Sequence, residues 1–294
     1  MSAIGFAITN ITSKFGLIST KAAKRLATEA GKKLVDRTNE LGRELNEADI
    51  KEVFEKTLPK CCRPRVIGNE EQLNKFLTRN YGKSLAQDIG EDIKEAVAEY
   101  CPSVFVRGPI WLPVKDIVSN KHFVPAVTAH ELFHALEGNN TYYGLLKRKV
   151  WLPYKVLRSI YRNLMKIPDY SNNFEHTVFD EVYCKMTETS ATEFAKAVLN
   201  GEYENRIRSV IRKVIDPRSN NTSRYDYINS RVLQIKPEIG AYDVGAQVER
   251  YGLKIGDSEV SIQEARSIFC QEVKRILKEE EELFLKNKLS GRLK

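Results

Sequence analysis

The alternation of apolar and polar positions along the chain is mostly helical in period. Ile4, Ile8, Ile11, Phe15, Ile18 and Ala22 recur every three or four residues, the stripe of a helix that lays one side on a partner. Gly5, Gly16 and the β-branched residues weaken that first segment. Over 21–47 the helical signal strengthens, with Leu26, Ala30, Leu34, Leu41 and Leu45 near helical spacing. A helix packed on its own domain or on a partner helix accounts for this arm. The alternative is a basic amphipathic segment on a membrane surface. A second helix is expected over 47–58, stopped by Pro59. Arg65-Val66-Ile67-Gly68 reads as a short strand, and Asn69 as the N-cap of a helix over 70–79. A further helix over 84–99 ends before Pro102. Ser103-Val104-Phe105-Val106-Arg107 and Ile110-Trp111-Leu112-Pro113-Val114 read as strands on either side of a Gly108-Pro109 turn. Pro113 assigns the second strand to a sheet edge, because proline has no N–H for a ladder.

The rest of the pattern is helical again. A helix over 124–137 is closed by Gly138-Asn139-Asn140. A long helix over 173–199 is ended by Asn200-Gly201, and 202–235 reads as helical around a polar loop at 217–223. A charged helix over 262–286 closes the chain, with Ser261 and Glu264 at capping-box spacing. The expected fold is therefore α+β: a helical arm over 1–47, a domain over 48–259 with a small mixed sheet and a mostly helical later part, and a charged C-terminal helix over 260–294.

Composition narrows the class without naming a function. At 42% hydrophobic and 29% charged residues, the 294-residue chain has ordinary globular proportions. Its net charge of +8 permits nucleic acid or anionic lipid as a partner without demanding either. The most basic and aromatic block, 141–172, holds Lys147, Arg148, Lys149, Trp151 and Tyr154, and a solvated helix face with aromatic anchors explains it as well as a binding groove does. Five cysteines without a CxxC argue against a disulfide framework and for the cytoplasm or another reducing compartment. No apolar run is long enough to span a bilayer, and the uncharged first residues lack the basic start of a secretory signal. Lys14, Lys21, Lys24 and Arg25, ahead of the first acidic residue Glu29, also have the composition of an organellar transit peptide.

Chemistry is concentrated in His130-Glu131-Leu132-Phe133-His134. On a helix the two histidines stand one turn apart on one face, where both imidazoles can ligate one Zn²⁺, and Glu131 can reach a water activated by the metal. Glu131 at that position can take a proton from such a water as a general base. Such a site needs a third protein ligand. Histidine is absent further along the same helix, where position 140 is Asn140, and Glu137 would give poor geometry from that helix. On the expected 173–199 helix, Glu188 shares a face with Glu181, Cys184, Ala191, Ala195 and Leu199, whose small residues allow close approach to a neighbour. Glu188 is favoured over Glu181, and Glu193 falls off that face. Tyr142, Tyr143 and Tyr242 are the candidate oxyanion donors, with nothing to select among them. His122 and His176 are not required.

HExxH followed by Glu188-xx-Ala191 on a later helix resembles the Glu-zincins, the HExxH metallopeptidases with a glutamate third ligand, and is similar to the ImmA/IrrE-type minimal members over about 65–200. The order of strand, helix, strands and HExxH helix agrees with that family, whose edge strand over the active-site helix would here be 110–114 and would pair with an extended peptide substrate. The resemblance departs at Thr192, where many members carry Asp or Asn. It implies a zinc-dependent peptidase using His130, His134, Glu188 and Glu131 on a peptide or protein substrate. The alternative is an inactive scaffold of the same kind, an interaction or structural protein that binds nucleic acid, a membrane surface or a larger assembly through its basic regions.

Overall fold

The computed structural model describes residues 17–83, 86–87, 90, 93, 98–101, 103, 106–113, 123–142, 144, 190–215, 224–253 and 259–289. Over these the chain is α+β, mostly helical with one small mixed sheet. It divides into two compact units, 1–160 with 244–254, and 161–243 with 255–294.

In the first unit, α1 (Thr20–Leu41) starts at Ser19, whose hydroxyl accepts from the Ala22 N–H at 3.1 Å, and ends at Gly42 in the left-handed region at φ 62°. α2 (Glu47–Thr57) carries a complete capping box between Asn46 and Asp49. A single 3-10 turn follows at Lys60–Cys62. β1 (Val66–Ile67) leads to α3 (Glu70–Tyr81), capped as expected by Asn69, which accepts from the Gln72 N–H at 2.9 Å. β2 is Glu99–Tyr100 and β3 is Ile110–Trp111.

The sheet order is β1-β3-β2, with β1 parallel and β2 antiparallel to β3. This corrects the expected edge. Ile110–Trp111 is the central strand: Ile110 N–H donates to the Arg65 carbonyl at 2.8 Å on one side, and Pro109 accepts from Cys101 N–H at 2.9 Å on the other. Pro109 and Pro113 flank a ladder only two residues long, so neither removes a donor from it. The antiparallel edge is at Glu99–Tyr100, earlier than the expected 103–107 strand, while Ser103, Val106 and Arg107 lie outside any strand.

α4 (Phe123–Asn140) carries the HExxH sequence and is buried nearly all round. Pro125 sits in its first turn, where an N–H would have no intrahelical partner. The helix does not stop at Gly138. A Cβ there would lie 2.7 Å from the Tyr100 Oη, so glycine is what lets the Tyr100 ring rest on the helix. Packing is equally close against α1, where a Cβ on Gly31 would come within 2.7 Å of Ala129 Cβ and 2.5 Å of Val248 Cγ2.

In the second unit, α5 (Ala191–Leu199), α6 (Glu204–Ile215) and α8 (Ile262–Leu289) bury Phe194, Val198, Ile211, Phe269, Val273 and Ile276 together. Arg208 binds Glu204, Glu279 and Glu280, and Arg212 binds Glu280 at 2.9 Å. α7 (Arg224–Leu253) is one helix. No helix among the described residues is long and apolar enough to cross a membrane.

Candidate metal centre

The HExxH residues stand on α4 as the helical spacing requires. His130 is 8% exposed and Glu131 is 7% exposed, while His134 is half-buried. The two Nε2 atoms are 3.2 Å apart, with the rings inclined at 71°. Bonds of 2.0–2.1 Å to a tetrahedral ion would put two nitrogens about 3.3 Å apart. The imidazoles are thus already at the separation of a ligand pair.

A candidate third donor is Glu238 on α7. One ligand atom from each of His130, His134 and Glu238 lies within 4.8 Å of the others, a group able to hold a metal ion. Two imidazoles and a carboxylate suit a borderline divalent ion, and a modest side-chain adjustment would close three bonds of about 2.0–2.2 Å. α7 stays helical through Pro237 and Gly240, and Ala241 and Gly245 beyond Glu238 are buried. Tyr242 follows Glu238 by one turn on the same face.

Glu131 is held from the sheet. Its Oε2 accepts the Tyr100 backbone N–H at 2.6 Å, and its Oε1 lies 3.7 Å from His130 Nε2. Cys101 N–H points at β3 and Tyr100 N–H therefore points away from it, so the Glu131 carboxylate occupies the outward donor of the edge strand. The expected pairing of a peptide with 110–114 does not survive this geometry, because β3 has a neighbour on each side. Burial first, and then the carboxylates Glu99 and Glu131, push the Cys101 thiol far up, which keeps it a neutral thiol beside the site.

The other expected residues fare differently. Glu188 and Glu181, the ligands expected from sequence, lie outside the described residues, as do Tyr143, His122 and His176. Of the single helix expected over 173–199, only 190–199 lies among the described residues; there α5 starts at Ala191, and Ser190 is extended (φ −65°, ψ 150°) and N-caps it by accepting from the Glu193 N–H at 3.2 Å. Thr192, placed by the resemblance beside a ligand histidine, instead accepts from the Val260 N–H at 3.0 Å. Glu137 lies half-buried near the end of α4. Tyr142 is 71% exposed. Apart from Thr141, Tyr142 and Gly144, the basic block at 141–172 is outside the described residues.

Sequence reasoning passed over Glu238, although a signal was present. Glu238-Ile239-Gly240-Ala241 repeats the Glu-x-x-Ala pattern that drew attention to Glu188. Pro237, Gly240 and Gly245 read as helix breakers and hid the helix that carries it. The site thus defined is a pair of imidazoles and a carboxylate that can take a metal ion, next to a buried glutamate. Comparison with protein-family models, curated proteins and solved structures finds no match.

Proposed function

We propose that the protein is a zinc-dependent metallopeptidase of zincin-like architecture, with His130, His134 and Glu238 as metal ligands. The observation that carries this reading is the convergence of those three side chains beside Glu131. The donor set fits zinc, which when bound would acidify a water and polarise the scissile carbonyl. Glu131 would take the proton of the attacking water and deliver it to the leaving amine. Tyr100 N–H would hold one carboxylate oxygen of Glu131 and leave the other toward His130. Tyr242, one helical turn from Glu238, is a candidate donor to the developing oxyanion. A reducing compartment is supported by Cys61, Cys62, Cys101 and Cys270, all free thiols, of which burial pushes Cys62 up to about 12.

Glu131→Gln tests the reading. The variant should keep its zinc and lose cleavage of a peptide library by at least about 100-fold, the usual weight of a general base. A zinc-loaded wild-type protein that cleaves no better than the Gln variant would remove the peptidase.

A further inference from the structure

The HExxH helix grips the edge strand at two points, and the second explains how the first is held. Two turns beyond Glu131, the buried Asn139 carboxamide faces the turn between β2 and β3. Its Oδ1 accepts from the Gly108 N–H and from the Tyr100 hydroxyl, both at 3.0 Å, and its Nδ2 donates to the Gly108 carbonyl at 3.0 Å. Gly108 admits no side chain, since a Cβ would lie 2.2 Å from the Cys101 carbonyl oxygen. Pro109, the next residue, accepts from Cys101 N–H. One amide therefore fixes the turn, the ring of Tyr100 and, through them, the height of β2 along α4. That height decides whether Tyr100 N–H meets Glu131 Oε2.

We propose that Asn139 is a positioning residue for Glu131, acting through β2 so that Tyr100 N–H pins one carboxylate oxygen and the other faces His130. The role rests on the reading of Glu131 as the base, but the geometry can be tested apart from it. An N–H bound to a carboxylate makes a shorter and stronger bond than one bound to a neutral amide. In protein labelled with ¹⁵N at tyrosine, the Tyr100 amide proton should resonate downfield and move upfield in Glu131→Gln. It should move the same way in Asn139→Ala, with hydrogen exchange at least about 10-fold faster. Tyr100→Phe deletes only the hydroxyl bond and serves if Asn139→Ala does not fold. With phenylalanine labelled instead, the backbone amide at position 100 of that variant should show a smaller shift in the same direction. In protein that hydrolyses peptides, Asn139→Asp and Tyr100→Phe should lower kcat by about 10- to 100-fold at unchanged KM and zinc content. A Tyr100 amide indifferent to Glu131→Gln overturns the proposal. So does an amide that stays put in a folded Asn139→Ala and in Tyr100→Phe, or a kcat that holds while the amide moves. A wild-type protein that cleaves nothing removes the peptidase alone, because the amide shifts still decide whether Asn139 orients Glu131.

Discussion

At the scale of single residues, the three candidate ligands and Glu131 are held differently. His130, His134 and Glu238 bring donors toward one point, while Glu131 is turned aside onto Tyr100 N–H. Removing a ligand and removing the base should therefore give different proteins. Glu238→Ala should lower zinc affinity by two orders of magnitude or more, roughly the loss of a ligand bond, whereas Glu131→Gln should leave it nearly unchanged. Titration with a competing chelator measures both. Equal affinities in wild type and Glu238→Ala would remove Glu238 from the ligand set. Glu188→Ala, measured beside them, decides between the two glutamates. The His-Glu-x-x-His spacing was legible in sequence because helical geometry alone brings i and i+4 together. Glu238 was not, because its Glu-x-x-Ala pattern follows a proline that reads as a helix breaker, and convergence with α4 is long-range.

At the scale of elements, α4 depends on what packs against it. Gly31 of α1 is one close point: alanine there would overlap Ala129 on α4 and Val248 on α7, both of which are packed rather than flexible ends. Gly31→Ala should lower stability by about 1–3 kcal/mol despite its better helix propensity, and thermal unfolding reads the shift in Tm. A neutral or raised Tm would show that the helices can part without cost. The same packing shows what sequence could convey of the elements. Caps at Asn69, Asn46 and Ser261 are local, and the helices they start were legible; Ser261 accepts from the Glu264 N–H at 3.1 Å as its spacing suggested. The edge strand was misplaced because a two-residue ladder gives no alternating pattern, and Pro113 falls just past its end. Gly138-Asn139-Asn140 looked like a helix stop, but these side chains bond outside the helix. Asn140 Nδ2 reaches the Cys61 carbonyl at 2.8 Å, and α4 continues through all three.

At the scale of the whole molecule, an acid-sensitive stabiliser sits within the second unit. Glu280 is only 5% exposed in its side chain and is held below its usual range by Arg212 first and by Arg208 as well. A depressed carboxyl stabilises fully above its unfolded value of 4.5 and loses that contribution as pH falls through the folded value. Unfolding should therefore ease progressively below about pH 4.5, and Arg208→Ala should cost about 1–3 kcal/mol at neutral pH with a weaker acid dependence. Denaturant melts of the two proteins from pH 7 to pH 3 check the slope. A parallel dependence in both would place the acid response elsewhere.

Metal content tests the central claim most directly. Protein purified without added chelator, with zinc resupplied and excess removed, should hold about one zinc per chain, as a three-ligand centre requires. Glu131→Gln should hold the same, and a His130→Ala/His134→Ala double variant should hold none. Wild-type protein that retains no divalent metal, or retains as much as the double variant, would contradict the account.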